Sequence, residues 1–460
     1  MDAMAAPALA AQALAPRTRL LLEAPIAPTL LRLALPNLVV MMLQAAVNVV
    51  DAFFVGWLGP EALAGVSLAF PVMMLMQTMS AGGMGGGVAS AIARALGGGR
   101  RADADALVAH ALVIALCMAA VFTTGVLSGG PALYRAMGGK GGTLEAALAY
   151  SNVVFAGAVA SWMLNTLAAI VRGTGNMVLP AGVVVAGSAI HLVLSPSMIF
   201  GWGPFPRLGV AGAGAAVVAS FSLGSVALLG YLVSGKSLVR LRVRGLRLRH
   251  RFFREILRVG APAALNTVLT NLTVVLLTGL VGGFGTFALA GYGMGARLEY
   301  LQIPLVFGFG SALVTMVGTN VGAGQVARAE RVAWVGAAIA MAVTGGIGLW
   351  GAIFPRAWIG LFTTEPEALA AGASYLRIVG PTYAFLGLGF ALYFASQGAG
   401  KLLWPLLAGF ARLIVATLGG FAAIHWFGGG LPGLFIAIGC ALVVLGITNV
   451  IAIRAGAWRS

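Results

Sequence analysis

Charged side chains are scarce in this sequence. Of its 460 residues only 9% are Asp, Glu, Lys or Arg, whereas 60% are hydrophobic, and the mean hydropathy is +0.99. A soluble domain cannot hide so much apolar surface, so that class of protein is excluded. Apolar runs of about 20 residues, long enough to cross a bilayer as a helix, recur along the chain. The sequence therefore predicts an all-α polytopic membrane protein.

Cysteine is nearly absent as well. Cys117 and Cys440 are the only two, and both lie in apolar runs. This excludes a disulfide framework and gives no support for a metal site, so we expect neither a metal nor a cofactor. Glycine, in contrast, is abundant, with 67 residues. That abundance suits membrane helices, which associate through close approach of their backbones.

Acidic residues are the scarcest charges: 12 stand against 28 Lys and Arg, for a net charge of +16. No aromatic or fold signal accompanies the basic residues, so a nucleic-acid partner is not expected. With the N-terminus inside, the cytoplasmic segments hold 21 of the 28 basic residues and the outer loops hold four. This asymmetry predicts twelve spans with both termini in the cytoplasm. We expect the membrane to be a bacterial plasma (inner) membrane.

The apolar runs divide the chain into two six-helix bundles. We expect an N-terminal cytoplasmic tail over 1–29, a first bundle over 30–234, a basic cytoplasmic linker over 235–255 and a second bundle over 256–460. The predicted spans are 30–58, 62–92, 105–129, 146–170, 177–201, 209–234, 256–282, 287–318, 330–354, 369–397, 403–427 and 431–454.

The two halves of the sequence repeat each other at a nearly constant offset. LRLALP at Leu31–Pro36 matches LRVGAP at Leu257–Pro262, an offset of 226, and Arg172–Gly175 matches Gln397–Gly400, an offset of 225. Each half has an even number of spans, so both halves run in the same sense and are related by a pseudo-twofold axis along the membrane normal. This architecture is typical of a transporter made of two bundles that rock about a cavity between them.

Proline and glycine interrupt the spans at particular places. Pro36 and Pro262 occupy equivalent positions early in the first span of each half, where proline frees a backbone carbonyl and permits a bend. The run Ser80–Ser90 is rich in glycine. It lacks the strand–loop–helix context of a nucleotide site, and we interpret it as a close helix crossing or a hinge.

Asp51 is the one acidic residue in the interior of the first predicted span. A charged aspartate near mid-span costs about 2.5–3.5 kcal/mol on insertion scales. A helix does not need that charge in order to fold, so we interpret Asp51 as a pathway or coupling residue. Gln44 and Asn48 lie about two and one turns earlier on a similar face. The alternative is an aspartate that only joins two helices.

Glu299 is the other acidic residue well inside a span, and it lies in the second half. The functional interpretation is a second titratable or cation-attracting site. The alternative is an ion pair with a nearby basic group, which cannot be Arg297, because residues two apart point to different faces of a helix. His191 in the fifth span is a candidate proton relay, although a lone histidine in an apolar helix is more often simply hydrogen-bonded.

Several motifs together resemble those of one transporter family. They are VVDAFFVGWLGPEALAGVSLAFP at Val49–Pro71, LGGG at Leu96–Gly99, RGTGNMVLP at Arg172–Pro180 and VGTNVGAGQVARAERVA at Val317–Ala333. The chain resembles the MATE family (multidrug and toxic compound extrusion), in its prokaryotic NorM/DinF-like form, over about residues 30–455.

The resemblance implies a V-shaped pair of six-helix bundles, the MATE fold. Such proteins export organic cations and other amphiphiles in exchange for protons or sodium. The resemblance also puts Asp51 on the family's coupling aspartate in the first span, and Pro36 on the proline proposed to bend that helix.

The sequence departs from the family pattern at two sites. Many prokaryotic members have Asn and Asp in the fifth span, where this chain has His191 and Ser195. The second bundle lacks the acidic residues that the NorM branch has in spans seven and ten: Thr270 and Asn271 stand near the first of these places and Leu386 near the second. Glu299 is then the candidate for the second-bundle acid.

The sequence thus predicts a secondary active antiporter and not an enzyme. It would export organic cations and amphiphilic drugs by alternating access. The proton is favoured as the coupling ion, with sodium as the alternative, because Asp51, Asn48 and Ser195 make a thin oxygen shell for a dehydrated cation.

Two other functions stay open. One is a lipid or lipid-linked-precursor flippase, which basic residues facing the cavity would favour; only Arg297, Arg377 and Arg412 lie within the predicted spans. The other is a non-transporting membrane scaffold. The expected partners are membrane lipids and small amphiphilic or cationic substrates, and we expect the protein to act as a monomer.

Overall fold

The computed structural model describes residues 15–241 and 248–458, and in these ranges the chain forms helices and turns without β-strands. The helices are α1 (Pro16–Glu23), α2 (Ile26–Gly56), α3 (Pro60–Thr78), α4 (Gly85–Gly97), α5 (Arg101–Ala136), α6 (Gly141–Ala156), α7 (Ala158–Gly173), α8 (Val178–Phe200), α9 (Val210–Val233), α10 (His250–Gly282), α11 (Thr286–Gly322), α12 (Val326–Ile353), α13 (Pro355–Ile359), α14 (Pro366–Val379), α15 (Tyr383–Ala399), α16 (Leu403–His425) and α17 (Gly430–Arg454).

The helices provide twelve candidate membrane spans in the described ranges. Eleven are long and apolar enough to cross a membrane as one unit, and the pair α6–α7, bent by 49°, provides the twelfth. The all-α fold with twelve spans is therefore confirmed. Most helices extend beyond the predicted limits: the third span, predicted over 105–129, runs through Arg101–Ala136. Helical hydrogen bonding continues into the polar residues that flank an apolar run, so composition alone underestimates the length of a helix.

The internal repeat is visible in the backbone. Gly99 and Gly324 are equivalent in the two halves, and both close a turn with positive φ angles of 71° and 76°. The bend of the fourth span at Gly157 also has a counterpart, because a 3₁₀ turn at Gly380–Thr382 interrupts the tenth span at the place that the repeat pairs with Gly157. Both halves therefore break the same span at the same point.

Helix neighbours follow the same symmetry. In the first lobe (α2–α9), α2 packs against α8, α3 against α6 and α8 against α9; in the second lobe (α10–α17), α10 packs against α16, α11 against α14 and α16 against α17. Each lobe thus has the same internal arrangement. The loops after α4, α7, α9, α11 and α15 lie at one end of the helices, which we call the basic end because it carries most of the loop Lys and Arg.

The lobes meet in a seam near the basic end. There α4 of the first lobe packs against α10, α11 and α15 of the second, and α2 packs against α11. A Cβ atom built on Gly87 would lie 2.8 Å from the Cα of Gly260, and one built on Gly83 would lie 3.0 Å from the Cα of Ala264. The glycine-rich run thus makes a close helix crossing, as its composition indicated. The chain passes from α3 to α4 through a π-helical turn, Met79–Met84.

Helix α1 lies within the stretch 1–29 that was expected to be a tail. Pro16 begins it, and Leu21 and Leu22 are buried. The Nδ2 group of Asn320 on α11 donates to the Leu21 carbonyl at 3.1 Å. The expectation of a tail is therefore wrong for residues 16–23, because their leucines and carbonyls find partners on the second lobe; residues 1–14 lie outside the described part.

The basic linker expected over 235–255 is shorter than predicted at its C-terminal side. Helix α10 begins at His250, so the end of that stretch belongs to the seventh span. Before the helix, the Arg249 backbone N–H donates to Nε2 of His110 at 2.9 Å, and the Arg240 N–H donates to Asp105 at 2.8 Å. These contacts attach the linker to α5; residues 242–247 of it lie outside the described part.

Candidate functional site

Asp51 forms a compact polar site with two residues of α8. Its Oδ2 atom lies 2.6 Å from Nε2 of His191, and its Oδ1 atom accepts a hydrogen bond from the Ser195 hydroxyl at 3.0 Å. His191 and Ser195 are four residues apart and therefore share one face of α8. The His191 side chain is 5% exposed and the Asp51 side chain 23% exposed. The carboxylate is thus held from one side and accessible from the other.

This geometry brings two titratable side chains into contact inside a span. Both oxygens of Asp51 already have protein partners, one of them an imidazole, which ordinarily titrates near neutrality and can donate or accept a proton. A dehydrated sodium ion would need several oxygen ligands, and this site offers one carboxylate and one hydroxyl. In residues 15–241 and 248–458 there is also no group of three or more His, Cys, Asp or Glu side chains that could hold a metal ion.

Gln44 and Asn48, predicted to line the same pathway, are not partners of Asp51. Asn48 is exposed and Gln44 is partly exposed on α2. Among the described residues, Asp51 forms hydrogen bonds only with the two α8 side chains. Helix α2 packs against α8, the fifth span, and Asp51 lies on the face of α2 that meets α8.

Glu299 has a different environment in the second lobe. The Tyr375 hydroxyl donates to its Oε2 atom at 3.1 Å, and a guanidinium nitrogen of Arg412 lies 3.7 Å from its Oε1 atom. The Glu299 and Arg412 side chains are 14% and 11% exposed. Arg297 instead lies over the ring of Phe362, 5.1 Å from its centroid. Glu299 is therefore an ion-paired carboxylate that joins α11 to α14 and α16, which was the alternative interpretation of this residue.

A polar network in the first lobe was not anticipated from the sequence. Nδ2 of Asn165 on α7 donates to Oε1 of Gln77 at 2.9 Å and to the Ser80 hydroxyl at 2.8 Å. Nε2 of Gln77 donates to the Ser161 hydroxyl at 3.3 Å. The signal available in the sequence was an amide side chain inside each of two apolar spans. The network fixes α7 against the π-helical turn that leads into the seam.

Both halves of the chain match one protein family. The MatE family model matches residues 36–197 and, separately, residues 262–421. The two matches begin at Pro36 and Pro262, the equivalent prolines of the internal repeat. The chain belongs to the MatE family.

MatE relatives match over almost the full length of the chain. The FAD transporter of Shewanella oneidensis is 28% identical over 437 residues, 93% of this chain and 94% of that protein. The probable multidrug resistance protein NorM of Thermotoga maritima is 27% identical over 436 residues, 94% of this chain and 92% of that protein. A multidrug resistance MATE transporter of the MOP superfamily, solved in an outward-facing conformation, has a TM-score of 0.87 at 27% identity and covers 97% of this chain, which covers 99% of it.

Members of the MatE family are transporters and not enzymes, so this chain is a multi-pass membrane transporter of the multidrug efflux family.

The remaining residues that the sequence singled out lie apart from the Asp51 site. Thr270 donates to the Asn266 carbonyl at 3.0 Å, and Asn271 donates to the Thr267 carbonyl at 2.8 Å, both within α10. These two side chains thus donate hydrogen bonds to carbonyls of their own helix.

Both prolines of the MatE repeat lie inside continuous helices. Pro36 is an internal residue of α2 and Pro262 of α10. The residue after Pro36, Asn37, donates through Nδ2 to the Ser311 hydroxyl on α11 at 2.8 Å. Pro36 therefore stands directly beside a hydrogen bond that joins the two lobes.

Proposed function

We propose that this MatE chain exports organic cations and other amphiphilic drugs across a bacterial plasma membrane in exchange for protons, by alternating access. The observation that carries the proposal is the Asp51 site: a carboxylate inside a span, with His191 Nε2 at 2.6 Å and the Ser195 hydroxyl at 3.0 Å. The multidrug names of several MatE relatives support the class of substrate.

The choice of the proton over sodium rests on the ligands of Asp51. A carboxylate takes up a proton without further ligands, and the neighbouring imidazole offers a route for the proton to leave. The family's fifth-span Asn and Asp, which would supply more oxygen ligands, are replaced by His191 and Ser195. Exchange of one proton for one monovalent cation moves no net charge, so such transport responds to the pH gradient and not to the membrane potential.

The closed seam supports an outward-facing state. If the basic end is cytoplasmic, as the charge distribution favours, the lobes touch on the cytoplasmic side. Ser90 on α4 donates there to the carbonyls of Gln397 (2.6 Å) and Gly398 (2.9 Å) on α15. The Asp51 site and both lobes belong to one chain, which supports a monomer as the transporting unit.

The experiment is export from proteoliposomes under two conditions: a pH gradient without sodium, and a sodium gradient without a pH gradient. The proposal predicts transport of a cationic dye only in the first condition. Transport only in the second would overturn the proton assignment. If neither the dye nor an ion is transported but a lipid probe moves between the leaflets, a flippase is favoured instead.

The flippase remains the alternative for this fold, but two of the three arginines that lie within the spans predicted from the sequence have partners. Arg412 pairs with Glu299, and Arg297 lies over Phe362. These contacts reduce the positive charge available for a lipid phosphate at those positions.

A further inference from the structure

A small cavity lined by residues of both lobes is not explained by the Asp51 site. It has a volume of about 40 Å³ and lies between the two lobes, next to the seam. The residues that define its chemistry are Gly82 on the π-helical turn, Arg172 on α7, Phe307 and Ser311 on α11, and Phe394 and Gln397 on α15. The cavity is therefore bounded by both halves of the transporter.

Among the described residues, Arg172 is the only charged one that lines this cavity. Its backbone carbonyl accepts a hydrogen bond from Thr315 at 3.1 Å. Its guanidinium, in contrast, forms no hydrogen bond or ion pair with any residue of 15–241 or 248–458. An arginine carries five N–H donors and is always charged, so an unpaired one beside a buried seam has full capacity for an anionic partner.

Gln397 supplies a second unsatisfied group. Its Nε2 donates across the seam to the carbonyls of Gly82 at 3.0 Å and Gly83 at 3.4 Å, which fixes the amide in place. Its Oε1 is buried without a hydrogen-bond partner among the described residues. A buried acceptor left without a donor is destabilising. This destabilisation is removed if a hydroxyl or N–H group enters the cavity.

Two aromatic rings form the apolar wall. Phe307 and Phe394 meet edge to face, with centroids 5.1 Å apart, and Phe307 is partly exposed. A volume of about 40 Å³ has room for a small polar group and not for a whole drug. The body of a larger ligand would lie above it, against the rings.

We propose that Arg172 and Gln397 form a binding site for an aromatic amphiphile whose anionic group pairs with Arg172, while a hydroxyl or N–H of the same ligand donates to Gln397. This site extends the proposed function, because the substrates then include aromatic anions as well as cations. Transport of such anions rests on the proposed function, whereas their binding does not. Arg172 belongs to the first lobe and Gln397 to the second, so a ligand held between them binds the closed seam better than the open one and favours that state.

The test compares two dyes with the same xanthene ring system and opposite charge, fluorescein and rhodamine 123. Their binding to the purified full-length protein in phosphatidylcholine nanodiscs is measured by fluorescence anisotropy, which requires no ion gradient. We expect Arg172→Gln to weaken fluorescein binding tenfold or more, Arg172→Lys to restore part of it, and rhodamine 123 binding to stay within twofold in both variants. Arg377→Gln, which removes an intramembrane arginine lining a different cavity, is the matched control and should change neither dye.

Equal effects of Arg172→Gln on both dyes, or no effect on fluorescein, would overturn the proposal. If that variant does not fold, Gln397→Glu supplies an internal carboxylate for Arg172 and must abolish the preference for fluorescein. Phosphatidylglycerol added to the nanodiscs distinguishes the source of the anion: competition with fluorescein would identify a lipid phosphate as the ligand, and its absence a soluble aromatic anion. Failure of proton-driven export with intact fluorescein binding would count against the proposed function alone.

Discussion

His191 and Asp51 lie 140 positions apart in the sequence, yet their side chains approach to 2.6 Å between Nε2 and Oδ2. The contact crosses the packing of α2 on α8, so it links the first span to the fifth within one lobe. Because a proton on either group is shared by the contact, a change at one residue must alter the chemistry of the other.

Asp51→Asn should abolish coupling without loss of the fold. The amide keeps the size of the carboxylate and can still bond to Ser195, but it cannot bind and release a proton. We expect pH-driven export of a cationic dye to fall about tenfold or more, the loss of one charged interaction being worth at least that factor. Wild-type export by a well-expressed variant would contradict the role of Asp51; Asn48→Ala, on the exposed part of the same helix, is the control.

His191→Gln tests whether the imidazole carries protons or only positions the carboxylate. Glutamine can still donate a hydrogen bond to Asp51, but it does not titrate. If His191 is a relay, the variant should retain substrate binding and lose the dependence of export rate on pH between about 5 and 8, the range in which histidine changes charge. An unchanged pH profile would assign His191 a positioning role.

Glu299 should matter for stability more than for coupling. Glu299→Gln leaves Arg412 without its carboxylate, and removal of one partner of a buried ion pair costs about 3–5 kcal/mol. We expect a lower thermal unfolding temperature in detergent, with recovery in the double variant Glu299→Gln, Arg412→Gln. Full loss of pH-driven export in a stable double variant would instead restore Glu299 as a coupling residue.

Gly87→Val should open the seam. A Cβ on Gly87 would lie 2.8 Å from Gly260, whereas one on Gly182 meets nothing within 4 Å, so Gly182→Val is the matched control. Overpacking costs about 1–3 kcal/mol, enough to lower the ratio of closed to open seam roughly fivefold or more. The readout is maleimide labelling of Thr319→Cys, a buried seam position, after replacement of the exposed Cys117 and Cys440. Unchanged labelling would show that this crossing does not close the lobes.

Pro36→Ala restores a backbone donor within α2 and should stiffen the helix beside the Asn37–Ser311 hydrogen bond. We expect slower export with substrate binding largely retained. Pro262→Ala, at the equivalent place in the second lobe, is the comparison. Equal turnover in wild type and Pro36→Ala would remove any role for a bend at this proline.

The spans were predictable because an apolar run is a local property of the sequence. The repeat was predictable because its motifs recur in the sequence at a nearly constant offset. Which helix faces meet is not local. The spacing rule could exclude Arg297 as the partner of Glu299, but only the folded structure brings Tyr375 of α14 and Arg412 of α16 to it.

The charged residues inside the spans do not follow the internal repeat, so the repeat could not be used to predict them. The position that the repeat pairs with Asp51 is occupied by Leu277. A second-lobe counterpart of the first-lobe site therefore could not be found by repeat alone. Helix α1 escaped prediction because so short a helix carries too little periodicity, and its burial depends on a partner in the distant second half of the chain.

Helix α1 contacts more than the second lobe. Besides the Asn320 bond to Leu21, a Cβ on Gly175, in the turn after α7, would lie 3.0 Å from a methyl of Leu21. The closed seam thus completes the docking surface for the chain's own first helix, and any separation of the lobes at the basic end must release α1 from one of them.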